Sequence, residues 1–391
     1  METLKQAATV LMMNVRALRQ RMGTSVVIVI GIAGVAAVLI SVLAMATGLV
    51  ETLHASARDD RVVVVRNGAS DETSSMLSRA DTASAMDAPG VKHDAAGRPI
   101  ASAEALVVAT FPLAAAEGEA DVSIRGVGAN AAALRPEIHV TAGRTFRPGV
   151  KEVIVGRKAA SLFRDLQVGA HPIIGGSPWT VVGTFASGSA LDSTLLTDVE
   201  TLMSAFSKEY QSVTVQLESA QALQGYRDAL KLGSLPVEVF SEREFFERQS
   251  TTLNTALKIL AYVVGGIMAF GAIVAALNIM YSAVSTRAVE IATLRAIGYG
   301  PDAMIIAVLV ETLALALIGG VVGALLSWLV FNGYELSTIA GGGAQLAFEL
   351  AVTPGIIIIG IAWACAIGLL GGLLPALQAA RLPVVVALHS A

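Results

Sequence analysis

Charged residues are scarce where this sequence is apolar, so those present are informative. Residues 285–304 read STRAVEIATLRAIGYGPDAM, between two long apolar stretches. Arg287, Glu290 and Arg295 offer ionic contacts, with Glu290 one helical turn from Arg287. Leu294 and Ile297 add apolar ones, and Gly298-Tyr299-Gly300-Pro301 stops the helix as glycine near a C-cap with proline beyond it should. Asp302 then suits the start of the next helix. The chemistry available here is recognition of a partner surface. On the residues alone a second reading stays open, in which Arg287 and Arg295 hold a loop on the inner side of a membrane and Glu290 balances them. Glu311 follows inside an apolar run. An acid there is costly and implies either an interhelical contact that moves or a fixed structural hydrogen bond.

Catalytic constellations are missing from the sequence. His54, His93, His139 and His171 lack metal-ligand spacing, so no metal site is expected. Cys365 has no partner cysteine, and no GxSxG, HExxH, CxxC or GxxxxGK[ST] motif occurs. The chain is thus expected to catalyse nothing and to carry no nucleotide-binding loop of its own. A net charge of −4 gives no basis for nucleic-acid binding.

Long apolar helices must position these residues. Mean hydropathy is +0.67 and only 15% of residues are charged, against about 25% in soluble chains. Four stretches reach the roughly 20 residues that cross a bilayer: Gly23–Val50, Ile259–Thr286, Ala303–Tyr334 and Leu350–Ala380, with Glu311 the one charge among them. The first is longer than a signal-peptide core and is read as an uncleaved anchor. Lys5, Arg16, Arg19 and Arg21 precede it, Arg287 and Arg295 follow the second, and Arg381 follows the fourth; the 335–349 loop has neither Lys nor Arg. Both termini and the 285–304 segment are therefore expected in the cytoplasm and the large polar region outside. Leu4, Leu11, Val15 and Leu18 give the leader a helical apolar face, suited to the inner membrane surface or to an extension of the first span.

The polar region reads as mixed α/β. RVVVVRN (61–67), KEVIVG (151–156), SVTVQLES (212–219) and LPVEVFS (235–241) are strand candidates. Gly175-Gly176-Ser177-Pro178 signals a hairpin. Ser219 can cap the helix AQALQGYRDALKL, and Ser241 with Glu244 fits a capping box for a further helix, unbroken by Pro or Gly until Gly265 and so able to continue into the second span. Its many Asp and Glu residues are read as solvated surface. Gly319-xxx-Gly323 and Gly368-xxx-Gly372 permit close helix approach, read as a homodimer contact, with packing inside one chain as the alternative.

These parts, in this order, resemble the FtsX/MacB-type permeases of type VII (mechanotransmission) ABC transporters, related to the lipoprotein-releasing and DevC-type permeases. The family's R-x-x-E-I-(G)-x-x-R-A-(I/L)-G is matched by Arg287, Glu290, Ile291, Leu294, Arg295, Ala296, Ile297 and Gly298, with Ala292 where Gly is usual. Glu311 with TLALALIGGVVG, LPALQAARLPVVVALHSA at the end, and EIHVTAGRTFRPGVKEVIVGRKAASLF with WTVVGTF in the polar region resemble further family segments. The resemblance implies an α-helical membrane protein with four transmembrane helices and a large extracytoplasmic mixed α/β domain between spans one and two. Its expected divisions are 1–22 cytoplasmic amphipathic helix, 23–50 span one, 51–253 periplasmic domain with a β-rich inserted lobe at about 100–205, and 254–286 span two. Then come 287–302 coupling segment, 303–334 span three, 335–349 extracytoplasmic loop, 350–380 span four and 381–391 cytoplasmic tail.

It further implies that Arg287, Glu290, Ile291, Leu294, Arg295, Ile297 and Gly298 couple the chain to a separate dimeric ABC ATPase, which binds ATP and Mg, while this chain binds no cofactor. A second permease copy or a paralogue, and a periplasmic membrane-fusion adaptor, are further implied partners. The implied role is export or extraction of a lipid, lipoprotein, peptide or drug at an inner membrane. The alternative is an FtsX-like regulator that passes ATPase motion to extracytoplasmic enzymes.

Overall fold

The computed structural model describes residues 22–55, 57–69, 71–114, 117–339 and 344–381. The leader helix expected at 1–22, save its last residue, and the tail beyond Arg381 lie outside them. In chain order the elements are α1 (Met22–His54), β1 (Arg61–Arg66), α2 (Arg79–Met86), β2 (Ala101–Pro112), β3 (Glu119–Val127), α3 (Ala131–Leu134), β4 (His139–Gly143), β5 (Glu152–Gly156), α4 (Arg157–Leu162), β6 (Ile173–Ile174), β7 (Ser177–Pro178), β8 (Thr180–Ala186), a 3-10 turn (Ala190–Ser193), β9 (Leu195–Asp198), α5 (Val199–Phe206), β10 (Ser212–Gln216), α6 (Ala222–Leu232), β11 (Val237–Ser241), α7 (Glu242–Thr286), α8 (Ala288–Ala296), α9 (Pro301–Phe331), β12 (Glu335–Ile339), β13 (Gln345–Glu349) and α10 (Pro354–Arg381). They divide into two compact units.

The first unit is helical and holds the apolar segments. Ser25–His54, Asn254–Thr286, Pro301–Phe331 and Pro354–Arg381 are each long and apolar enough to span a bilayer. Apolar sequence of this length becomes helix because hydrocarbon offers the backbone no hydrogen-bond partner, so every N–H and C=O must be satisfied within the segment. Ile32, Val35, Leu315, Ala316, Ile367 and Ala376 form its core. The glycines read as a dimer contact are used inside the chain instead. A Cβ on Gly319 would lie 3.0 Å from the Val29 carbonyl of α1, and one on Gly323 would lie 2.5 Å from that of Ala33. On α10, Gly368 lies against Ala316 and Gly372 against Thr312, both on α9. Small residues let backbones approach, and here the backbones belong to neighbouring helices of one chain.

The second unit is α/β. Its nine-stranded sheet runs β11-β1-β10-β2-β3-β9-β5-β8-β4, antiparallel except where β3 meets β9 and β5 meets β8. The twelve-residue β2 joins its two halves: Ala101–Glu104 pair with β10 and Ala105–Pro112 with β3. The β-rich stretch expected as an inserted lobe thus continues one sheet rather than forming its own. It does keep a separate core around Val155, Phe163, Trp179 and Val181, while Val62, Val213, Val215 and Tyr226 fill the other.

Local signals explain the connections. Gly175 and Gly176 have φ of 57° and 73°, the paired left-handed turn that closes the β6–β7 hairpin. Ser78 and Asp81 form a complete capping box for α2. The Ser241 box is half closed: its Oγ accepts from the Glu244 N–H at 3.1 Å, but the Glu244 carboxylate turns to Arg227 at 2.6 Å. Ser219 does not cap α6, which starts after Gln221 without a side-chain cap; the Ser219 carbonyl accepts from Ala222 N–H in a preceding turn. Within 335–349, expected as a loop, β12 and β13 pair antiparallel and belong to this α/β unit. There the Ala347 N–H donates to Ser193 Oγ at 3.0 Å, and Lys158 Nζ lies 3.7 Å from Glu349.

Candidate functional site

Helix α8 is a nine-residue segment between the second and third spans. Arg287 is its N-cap residue, and Ile291 N–H donates to the Arg287 carbonyl at 2.9 Å. Gly298 ends it with φ 106°, and Tyr299 N–H bonds back to Leu294 O at 3.1 Å, an arrangement that needs a residue without Cβ. Pro301 is then pre-shaped for the first turn of α9, with Asp302 beside it at the positive end of the helix dipole.

The seven residues expected at a docking surface divide by face. Arg287 and Ile291 are buried, at 9% and 8% exposure, and Leu294 is half-buried against the helical core. Arg287 Nη1 lies 3.4 Å from Glu311 Oε2 on α9, so the basic residue read as a partner contact is turned inward. Charge drives this: a carboxylate on an apolar helix needs a counter-ion, and Arg287 is within reach. Val289, Glu290, Thr293, Ala296 and Ile297 form the exposed side, spaced as one helical face, with Ile297 72% exposed. Arg295 is half-buried beside them and Gly298 is exposed at the stop. A cavity of about 450 Å³ opens beside α8, lined by Arg287, Glu290, Thr293 and Leu294 of this segment and by Met304 and Glu311 of α9 among others. The arrangement is a short amphipathic helix, tied to a neighbouring span by an ion pair and presenting one acid among apolar and small residues.

A second constellation is not legible in the sequence, where the Asp and Glu residues of the α/β unit read as solvated surface. Seven of them instead meet in a largely buried network. Arg125 donates to Glu104 and Glu72 at 2.6 Å each, Arg135 donates to both Glu104 oxygens, and Ser212 Oγ donates to Glu72 at 2.8 Å. Arg61 bonds Glu242 at 2.7 Å and Glu137 at 2.8 Å. Burial pushes the Glu104 carboxyl up, but the charges and hydrogen bonds of Arg135 and Arg125 outweigh it and hold the group at about 2. The available signal was a charge in the middle of an apolar strand, as in ASAEALVV and VSIRGV. Strand alternation alone does not say whether such a face meets water.

Family comparison agrees with the architecture. Residues 22–231 match the MacB-like periplasmic core domain and residues 262–384 the FtsX-like permease C-terminal domain. The macrolide export ATP-binding/permease protein MacB of Hahella chejuensis is 29% identical over 57% of this chain and 35% of its own length. The ABC transporter permease YknZ of Bacillus subtilis is 24% identical over 70% of this chain and 71% of its own. Among solved structures, the extracellular domain of YknZ from Gram-positive bacteria aligns at a TM-score of 0.35 and 20% identity, over 46% of this chain and 99% of that one. The chain spans about a third of MacB's length. With the core-domain match covering more than half of its residues and the permease match most of the remainder, this multi-pass membrane chain belongs to the MacB/FtsX family of ABC transporter permeases.

Proposed function

We propose that the chain is the permease subunit of an exporter whose ABC ATPase is a separate, dimeric chain that binds ATP and Mg, and that α8 docks on that ATPase from the cytoplasm. The observation that carries this reading is the two-sidedness of α8: its inner side is fixed by Arg287–Glu311 while Val289, Glu290, Thr293 and Ile297 face outward. Exposed apolar side chains around one acid on a nine-residue helix suit a groove on another protein.

ATPase closure would displace α8, and the ion pair would hand that displacement to α9. Helix α7 is one element from Glu242 to Thr286, and in this reading it would carry movement from its inner to its outer end. The work is then done by the α/β domain on the far side, on a lipid, lipoprotein, peptide or drug. The β12 and β13 strands and the 48–254 region form one compact unit, and in this reading that unit is extracytoplasmic while α8 is cytoplasmic. Since the glycine motifs are used within the chain, a second permease copy would pair elsewhere. The exposed apolar face of α7, with Val263, Ile267 and Phe270, suits that contact or lipid.

The test is co-purification from native membranes. Wild type should bring down an ABC ATPase, and Glu290→Lys, which reverses the exposed charge, should lose it. Glu311→Gln should keep the ATPase bound while lowering the response of ATP hydrolysis to substrate. Undiminished association in Glu290→Lys would remove the docking assignment.

A further inference from the structure

The nine-stranded sheet has two edges, and they are finished differently. At one end β11 is shielded. Its Val239 carbonyl accepts from Arg227 Nε at 2.9 Å, and the Arg248 guanidinium lies 4.5 Å from the centre of the Phe240 ring. At the other end β4 pairs with β8 on one side only, and among the described residues 139–143 hydrogen-bond to nothing else. All five residues of β4 are exposed. A bare edge is a row of N–H and C=O groups that templates another strand, so folded proteins cover it or guard it with charge or proline. From His139 to Gly143 this edge carries no Lys, Arg or Pro.

An apolar cavity of about 360 Å³ opens beside this edge, with all its lining residues in the α/β unit. Val140 of β4, Phe146 and Pro148 of the following loop, Ile154 of β5, Leu196 of β9 and Ala131 of α3 supply its walls. Val140 is 44% exposed and Pro148 is exposed, so the apolar surface continues from the cavity to the edge. The charged groups that line it are already engaged, Arg125 and Arg135 by Glu104, and Asp198 by the N–H groups of Thr201 and Gly149. Cavities of about 300–1,000 Å³ take organic groups of ligand size. Alternate residues of a strand point to one face, so a strand laid along β4 can turn two apolar side chains, at i and i+2, toward this cavity.

Charge selects the partner. From Gly143 to Glu152 the chain carries Arg144, Arg147 and Lys151 against Glu152 alone. Glu152 accepts from Arg144 at 2.7 Å, which leaves the positive charges of Arg147 and Lys151 in excess, both on exposed residues. Glu137, just before β4, is taken by Arg61 at 2.8 Å. A second copy of the chain would bring the same positive excess to the edge, whereas an acidic segment is attracted to it. We infer that β4 is a docking edge for an extended acidic segment of another polypeptide, which adds a strand to the sheet and seats two apolar side chains in the cavity beside Val140. Main-chain hydrogen bonds hold the segment, and the cavity selects its side chains. This site is independent of the docking reading of α8.

Fluorescence anisotropy with the full chain in nanodiscs tests it. The probe is an N-terminally labelled Asp-Leu-Thr-Leu-Thr-Asp-amide, with both leucines on one strand face and an acid at each end. Saturable binding is expected, weakened at least about tenfold when lysine replaces both acids. Methylating the backbone nitrogens of the leucines in one version, and of the threonines in another, blocks one edge of the peptide each time. One version should lose at least about tenfold and the other stay within about twofold, because only one edge faces β4. Val140→Lys should weaken the probe about tenfold by guarding the edge, and should fold normally because the position is exposed. Arg147→Gln should weaken it about threefold, the loss of one exposed charge pair. No saturable binding, equal effects of the two methylated versions, or an affinity unmoved by Val140→Lys would overturn the site. So would a dimer that Val140→Lys dissolves while no peptide binds, which would give the edge to a second copy.

Discussion

In the α/β unit, Glu104 is held between Arg125 and Arg135, with Arg125 at 2.6 Å, and is 1% exposed. In the helical unit, Glu311 meets Arg287 at 3.4 Å, with both side chains 11% exposed. The first is a charge-assisted network at short range, in which moving one member strands the others. The second is a longer hydrogen-bonded ion pair, in which Arg287 Nη1 donates to Glu311 Oε2 at 3.4 Å. The network fixes its members within the α/β unit, and Arg287–Glu311 ties α8 to α9 within the helical unit.

The contrast can be broken most directly at Glu104. Glu104→Gln leaves two buried guanidinium groups short of charge and should destabilise the α/β unit by about 3–5 kcal/mol. Hydrogen exchange of β2 and β3 in the full chain would report it. A loss below about 1 kcal/mol would mean the network is not structural.

Acid sharpens the same point. The Glu104 carboxyl is lowered from 4.5 to about 2, so its contribution is present above about pH 4.5 and is lost as pH falls toward 2. That contribution is about 3 kcal/mol from a shift of this size. Thermal unfolding between pH 5 and pH 2 should show the decline, reduced in Glu104→Gln.

Close packing in the helical unit should be less sensitive than the network. Gly323→Leu drives a side chain into the Ala33 carbonyl and should cost about 1–3 kcal/mol, read as a fall in Tm in detergent. The smallest effect belongs to the outer side of α8. Ile297→Ser should change stability by less than about 0.5 kcal/mol, since the side chain is 72% exposed, yet weaken ATPase co-purification.

Much of this architecture is legible in the sequence alone. The spans follow from apolar length, and the strands of RVVVVR and EVIVG follow from β-branched runs. The stop after α8 follows from Gly298 and Pro301. Three features are not legible in the sequence for a shared reason. Gly319 and Gly323 announce a close approach without naming the approaching helix. Arg287 announces a charge without saying which way it turns. Glu104 and Arg125 sit at alternating strand positions whose face meets water or another layer only once the chain has folded.

The sequence by itself therefore determined what depends on neighbours along the chain: the helices forced by long apolar runs, the alternating strands, and the turns and caps at particular glycines, prolines and serines. Tertiary structure decided what depends on partners far apart. It joined Arg287 to Glu311, 24 residues on, and brought Glu104 together with Arg125 and Arg135. It also set β12 and β13 in the unit that holds this buried polar network. Backbone hydrogen bonding and hydropathy act locally and can be read in order. Burying a charge requires a counter-charge at a few ångströms, and only the folded chain supplies that distance.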